Sequence, residues 1–157
     1  MQKLIFSLLL SVMSFICLGQ NNDDKVYSMA DEHPSFKYGM AGFYYFVSDN
    51  LEYPEESFKN KIEGKVMVQF VVNKDGEVTD EKVVQGLNEE LDAEALRIMK
   101  LSPNWIPDKL TGGEACNVRM ILPITFKAYI PTEEQKAKSM KYREKMMKKY
   151  DKKNKTP

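Results

Sequence analysis

The chain has 157 residues, and its 23 Lys and Arg balance 23 Asp and Glu, so the formal net charge is zero. This length suits one domain. The balance is uneven, because residues 132–157 hold ten basic and four acidic residues, which leaves the rest of the chain acidic. An acidic body disfavours nucleic acid as a partner. One histidine, His33, and two cysteines exclude a site built from clustered His or Cys ligands, so we expect no enzyme, metal site or cofactor.

Residues 1–19 resemble a secretion signal. Lys3 is the positive start, an apolar core runs from Leu4 to Leu18, and small residues at Cys17 and Gly19 favour cleavage before Gln20. The apolar core is shorter than the roughly 20 residues that a spanning helix needs. We therefore predict an exported protein with a cleaved signal peptide, and a retained anchor is the alternative.

An aromatic run follows at residues 43–46. At helical spacing, Phe43, Phe46 and Val47 form a packing face, which we favour over a ligand groove. This segment is interpreted as a helical extension before the main domain.

The stretch from Lys65 to Asn73 alternates between apolar and polar positions, as a strand with one buried face does. Its apolar face carries Val66, Val68, Phe70 and Val72. Asp75-Gly76 tolerates the positive φ of a tight turn, so we predict a hairpin into residues 78–85. That second strand has charged residues at its centre and is expected near a sheet edge.

A helix is predicted to begin at Asn88, with acidic residues in its first turn, and to end before Pro103. Leu91, Ala95, Ile98 and Met99 form its apolar stripe. Asp92 and Glu94 point in different directions on such a helix and are expected to be solvated rather than to act as an acid pair. Trp105 is predicted to be buried under the following connection.

The last strand shows the clearest alternation in the chain. Every second position from Cys116 to Phe126 is apolar, and Pro123 lies on the opposite face. Proline inside a strand indicates an edge or a bulge. Once the signal is removed, Cys116 is the only cysteine, and we predict that it is a small buried hydrophobe.

This order of elements predicts an α+β fold. A helix crossing one sheet face can return the third strand beside the first. The expected sheet has three antiparallel strands in the order 2-1-3, with helices on one face.

A basic C-terminal helix over residues 131–157 follows, with Thr132 and Gln135 as a capping box. Its apolar face is assigned to Ala137, Met140, Met147 and Tyr150. Solvation, docking on an acidic surface and contact with anionic lipid remain open for this tail.

Several landmarks recur in a fixed order: Tyr53-Pro54, the hairpin around Asp75-Gly76, the helix, Trp105 between two prolines, and the final strand. In this order the chain resembles the C-terminal domain of TonB, the periplasmic part of a bacterial energy transducer. The resemblance covers roughly residues 26–128, and we assign residues 26–130 to this domain with its helical extension.

The resemblance implies a function. Such domains bind a short extended segment of an outer-membrane transporter, the TonB box, as a strand added beside the last strand. By position, the edge that would bind here is formed by Asn117, Val118, Arg119, Met120, Ile121 and Leu122. Asn117, Arg119 and Ile121 would give selectivity, and pairing should weaken beyond Leu122 because Pro123 cannot donate.

This chain departs from a working TonB, which has a membrane helix and a long spacer. Only about five residues separate Gln20 from Val26, and they span at most roughly 18 Å. The sequence therefore favours a free-standing exported binding module in the periplasm or envelope. There are two alternatives. One is an anchored energy-transducing component, and the other is a structural envelope protein that forms homodimers through the sheet edge.

Overall fold

A computed structural model describes residues 25–28, 33–129 and 131–154, so the predicted signal peptide lies outside the described residues. Its elements, in chain order, are β1 (Val26–Tyr27), α1 (Gly39–Asn50), α2 (Glu55–Lys59), β2 (Gly64–Val72), β3 (Val78–Gln85), α3 (Glu89–Lys100), β4 (Asn117–Phe126) and α4 (Glu133–Asn154).

The sheet is mixed and has four strands in the order β1-β4-β2-β3. The predicted sheet of three antiparallel strands is therefore wrong. The difference is β1, which pairs in parallel with the start of β4 at Asn117 and Val118. The long strands β3 and β4 both pair antiparallel with β2, which lies between them. A strand of two residues has too little periodicity to be recognised in the sequence.

The core lies on one face of the sheet. The four apolar positions predicted for β2, Val66, Val68, Phe70 and Val72, are all buried, as are Ile124 and Phe126 of β4. Val71, which the same alternation places on the opposite face, is also buried. The period of two thus identifies the core face of this hairpin, and Val71 shows that the second face is partly covered.

Aromatic side chains close the core beneath α1. Trp105 is buried, and the centre of its ring lies 5.2 Å from that of Phe36, 5.5 Å from Phe70 and 5.6 Å from Phe43. Phe43 and Val47 of α1 are buried too. The predictions that Trp105 is a core residue and that this helix has a packing face are confirmed.

Helix α3 begins as the sequence predicts, because the side chain of Asn88 accepts a hydrogen bond from the Leu91 amide at 2.9 Å. Its predicted apolar stripe is buried. The prediction that Asp92 and Glu94 are solvated is wrong for Glu94. Asp92 accepts a hydrogen bond from the Leu87 amide, and Glu94 is buried in an ion pair with Arg97.

Helix α4 begins with the predicted capping box. The Thr132 amide donates to Gln135 Oε1 at 2.9 Å, and the Gln135 amide donates to Thr132 Oγ1 at 3.3 Å. The predicted apolar face is only half right, because Ala137 and Met140 are exposed while Met147 and Tyr150 are half-buried. Met140 lies instead at the rim of a cavity that Tyr45 and Tyr129 also line.

Candidate peptide-binding edge

The sheet has two outer edges, and they differ in regularity. On β3 the pairing with β2 shifts register twice, and Asp80 in its centre has a positive φ of 55°. Asp80, Glu81 and Lys82 also place charges along that strand. Bulges and charged side chains are the usual features that prevent an edge strand from pairing. The edge of β3 is thus poorly suited to accept another strand.

The edge of β4 is regular. Nine consecutive residue pairs join β4 to β2 without a shift, from Gly64 with Phe126 to Val72 with Val118. On its other side, within the described residues, β4 pairs only with β1, at Asn117 and Val118. From Arg119 onward the outer edge of β4 has no strand beside it in the described part of the chain. This open stretch includes four of the six predicted site residues, Arg119, Met120, Ile121 and Leu122.

Pro123 indicates which backbone groups point outward. It pairs with Met67 inside the unbroken register, and proline, which has no N–H, is tolerated where the nitrogen faces away from the neighbouring strand. Outward and inward positions alternate in an antiparallel ladder. The N–H groups of Arg119 and Ile121 therefore face the open edge. Pro123 interrupts this row of donors.

The six predicted site residues do not share one environment. Val118 is buried in the core, and Met120 and Leu122 are half-buried against it. Arg119 and Ile121 project from the opposite face, where Ile121 is 50% exposed. Only Arg119 and Ile121 combine an exposed side chain with an outward N–H group.

Asn117 has a structural role that the sequence did not suggest. Its side-chain oxygen accepts a hydrogen bond from the Lys74 amide at 3.1 Å, and β1 lies beside its backbone. Asn117 thus connects β4 to the β2–β3 turn. Its expected role in selectivity competes with these contacts.

An apolar groove lies where β4 leaves the sheet. It has a volume of about 410 Å³ and lies between α1 and the segment that follows β4. Its lining includes Tyr44, Leu51, Thr125, Tyr129 and Pro131. The aromatic run at residues 43–46 was therefore only partly a packing feature, because Tyr44 is 47% exposed here. Tyr129 was not recognised, since nothing in the sequence links it to α1.

The end of α1 is attached to α3 by a charged cluster. Glu94 accepts two hydrogen bonds from Arg97, at 2.7 and 2.8 Å, and one from the Glu52 amide at 2.7 Å. The bond to Glu94 raises the pKa of Arg97 above its ordinary value. Because every oxygen of Glu94 is used by neighbouring groups, this cluster positions α1 and has no free acid or base.

The described residues give little support for a metal site or for histidine or cysteine chemistry. Among the described residues, no three His, Cys, Asp or Glu side chains are grouped as a metal site would need. His33 is exposed, and Cys116 is buried as predicted.

A small α+β domain with a regular sheet edge that no strand of the described residues covers has the geometry on which strand-accepting binding domains rely. The family model described as Gram-negative bacterial TonB protein C-terminal matches residues 49–128, which is more than half of the chain. The chain belongs to this family. Domains of this family are non-enzymatic modules of energy transduction and binding in the periplasm and envelope, and their protein partners are outer-membrane transporters.

The chain is also similar to solved structures of TonB C-terminal domains. The NMR structure of the Helicobacter pylori TonB C-terminal domain, residues 194–285, is 28% identical, covers 62% of this chain and all of that one, and has a TM-score of 0.47. The Pseudomonas aeruginosa TonB C-terminal domain is 19% identical, covers 69% of this chain and 97% of that one, and has a TM-score of 0.43. A comparison with curated proteins finds no match.

None of the helices in the described ranges is long and apolar enough to cross a membrane.

Proposed function

We propose that this chain is a peptide-binding module of the Gram-negative envelope, which takes an extended segment of a partner protein as a new strand at the outer edge of β4. The segment would come from the periplasmic side of an outer-membrane transporter, as expected for this family. The module has no catalytic role in this proposal. The observation that carries it is the regular edge of β4, beside which the described part of the chain places no strand from Arg119 onward.

The backbone supplies the binding energy in such a mode, and side chains refine it. The outward N–H groups of Arg119 and Ile121 would donate to the added strand. The groove beside Tyr44 and Tyr129 would hold an apolar side chain of that strand where it passes the end of β4. Pro123 offers no donor, so the strongest pairing is expected before it.

Two further functions remain as alternatives. An anchored energy transducer would need residues 1–20 to stay attached. A structural envelope protein would pair β4 with β4 of a second copy. The open edge suits all three, so partner identity and the state of the N-terminus distinguish them.

The experiment uses synthetic peptides that cover the periplasmic N-terminal segments of outer-membrane transporters from the same organism. Their affinity is measured by calorimetry for the wild-type chain, Ile121→Pro and Ile121→Ala. Ile121→Pro removes one outward N–H and leaves the peptide acceptor unpaired. We expect it to weaken binding about tenfold, because a missing hydrogen-bond partner costs about 1–3 kcal/mol. Ile121→Ala keeps the backbone donor and serves as the matched control.

Circular dichroism checks that each variant is folded. If Ile121→Pro does not fold, a proline scan of the peptide replaces it, since a proline in an added strand removes the same kind of bond from the partner's side. Equal affinity of all folded variants and of all scanned peptides would refute pairing at β4. Light scattering without peptide tests the homodimer, which Ile121→Pro should then also weaken.

A further inference from the structure

The two sides of helix α4 differ: one side is half-buried, and the other is exposed and carries lysines. Its half-buried residues are Arg143, Met146, Met147 and Tyr150, which recur at the spacing of one helix face. This face contacts α1 and its N-cap residue: Arg143 Nη1 lies 2.6 Å from Asp49 Oδ2, and the rings of Tyr150 and Tyr38 are 5.4 Å apart. One side of α4 is thereby held against the domain, which determines the side that remains outside.

The outer side is a row of lysines. At 3.6 residues per turn, these lysines fall within an arc of roughly 80° opposite the docked face. They are Lys138, Lys141, Lys145, Lys148 and Lys152, and all are exposed. We call these five residues the lysine row. From Lys138 to Lys152 the row extends about 21 Å at 1.5 Å per residue.

Acidic side chains neutralise little of the positive charge of the lysine row. Within the arc of the lysine row, the described part of α4 has one acid, Glu134, and it pairs with Lys138 at 2.7 Å. The remaining four lysines have no ion pair among the described residues. The row is therefore a straight line of positive charge on a chain whose body is acidic.

We propose that the lysine row binds the surface of an anionic lipid bilayer. Among the described residues, no lysine of the row lines the cavities found along α4, and no apolar residue falls within its arc. The cavities around α4 lie on its other side, against α1, where Tyr38, Tyr45 and Met147 line them. The exposed side chains Met140 and Tyr142 flank the row rather than lie in it.

A protein partner would need buried anchors and shape complementarity, which this face lacks. A lipid surface needs only charge, because its headgroups rearrange to meet the lysines. The contact is electrostatic, lies parallel to the membrane and does not insert. This inference does not depend on peptide binding at β4.

The test measures co-sedimentation of the full chain with vesicles of phosphatidylglycerol mixed with phosphatidylcholine, and with vesicles of phosphatidylcholine alone. The difference in binding between the two kinds of vesicle separates charge-dependent binding from any contribution of the apolar segment at residues 4–18. Each lysine near an anionic surface strengthens binding about fivefold. We therefore expect the triple variant Lys141→Gln, Lys145→Gln, Lys148→Gln to lose at least tenfold in binding to the anionic vesicles.

A matched variant removes three exposed lysines from the domain body: Lys82→Gln, Lys100→Gln and Lys109→Gln. It has the same net charge and should bind as the wild type does. Equal loss in both triple variants would overturn the proposal, because net charge alone would then explain binding. So would tighter binding to a soluble polyglutamate peptide than to the vesicles, which would favour an acidic protein partner. Salt should release the wild type, since the Debye length falls from about 10 Å at 0.1 M to about 3 Å at 1 M.

Discussion

At the scale of single residues, Gly76 and Trp105 couple the conformation of the β2–β3 turn to the packing of the core. Gly76 has a φ of 85°, and a Cβ atom there would lie 2.1 Å from the Trp105 carbonyl oxygen. The Trp105 amide in turn donates to the Gly76 carbonyl at 2.7 Å. The β2–β3 turn and the connection after α3 therefore hold each other in place, and this arrangement keeps Trp105 in the core.

Phe70 is the residue whose loss should damage this core most directly. It is fully buried and contacts Trp105. We expect Phe70→Ala to lower the free energy of unfolding by about 3–5 kcal/mol, as other large-to-small core changes do. Urea denaturation measures this, and Ile121→Ala, on the opposite face, should stay within about 0.5 kcal/mol of the wild type. A loss below about 1 kcal/mol for Phe70→Ala would contradict this account of the core.

Tyr53 links stability to pH. Its hydroxyl donates to the Ile62 carbonyl at 2.5 Å, and burial, with a smaller effect of Glu63, raises its pKa above the ordinary value of 10.0. The fold therefore favours the protonated phenol. Its contribution is complete below about pH 10 and is lost as the pH rises through the folded pKa.

Tyr53→Phe should thus lower the free energy of unfolding by about 0.5–1.5 kcal/mol at neutral pH. The difference from the wild type should shrink above about pH 10, where the wild type ionises on unfolding. Parallel urea melts of both proteins check this, since all other tyrosines and lysines are shared. A difference that grows with pH would show that the sign is wrong.

At the scale of elements, regular segments were predictable and isolated contacts were not. The alternation in β2 and β4 and the Asn88 cap of α3 depend on neighbours in sequence, and the structure confirms them. β1 could not be predicted, because two residues carry no pattern and their partner lies about 90 residues away. The burial of Glu94 was missed for a similar reason: the Glu52 amide that it accepts from is 42 residues upstream.

The candidate site was predictable only to the same extent, because contacts between distant segments leave no pattern in the sequence. Period-two alternation predicted which faces of β4 are buried, and Pro123 indicated an edge. The alternation could not show that β1 covers Asn117 and Val118, or that Tyr44 and Tyr129 line one groove near the end of β4. Those contacts depend on how distant segments pack.

Because β1 lies beside the start of β4, it should compete with a partner that extends over Asn117. A double variant, Val26→Pro with Tyr27→Pro, removes both N–H groups of β1. We expect the affinity for a transporter peptide to rise a few-fold, because two paired residues hold β1 only weakly. Calorimetry with the same peptides measures this change. A loss of affinity would mean that β1 is part of the binding site.

At the scale of the whole molecule, the acidic body and the basic α4 divide two proposed roles between two surfaces. The β4 edge would hold a protein segment, and the lysine row would face lipid. Both roles place the chain at the envelope, as the family does.

The N-terminus determines whether the module is free or anchored. The pattern of Lys3, the apolar core and Cys17-Leu18-Gly19 predicts a mature chain that begins at Gln20. Mass spectrometry of protein isolated from the native envelope should find this terminus within a few residues. An intact Met1 or a lipid on Cys17 would support the anchored alternative instead.

The central claim is that a partner segment pairs with the open edge of β4. Amide hydrogen exchange, followed by NMR with and without a bound transporter peptide, tests it most directly. We predict that the amides of Arg119 and Ile121 become protected when the peptide binds, while those of β3 and of the exposed side of α3 do not change. Protection that appears along β3 or α3 and leaves Arg119 and Ile121 unchanged would contradict the claim.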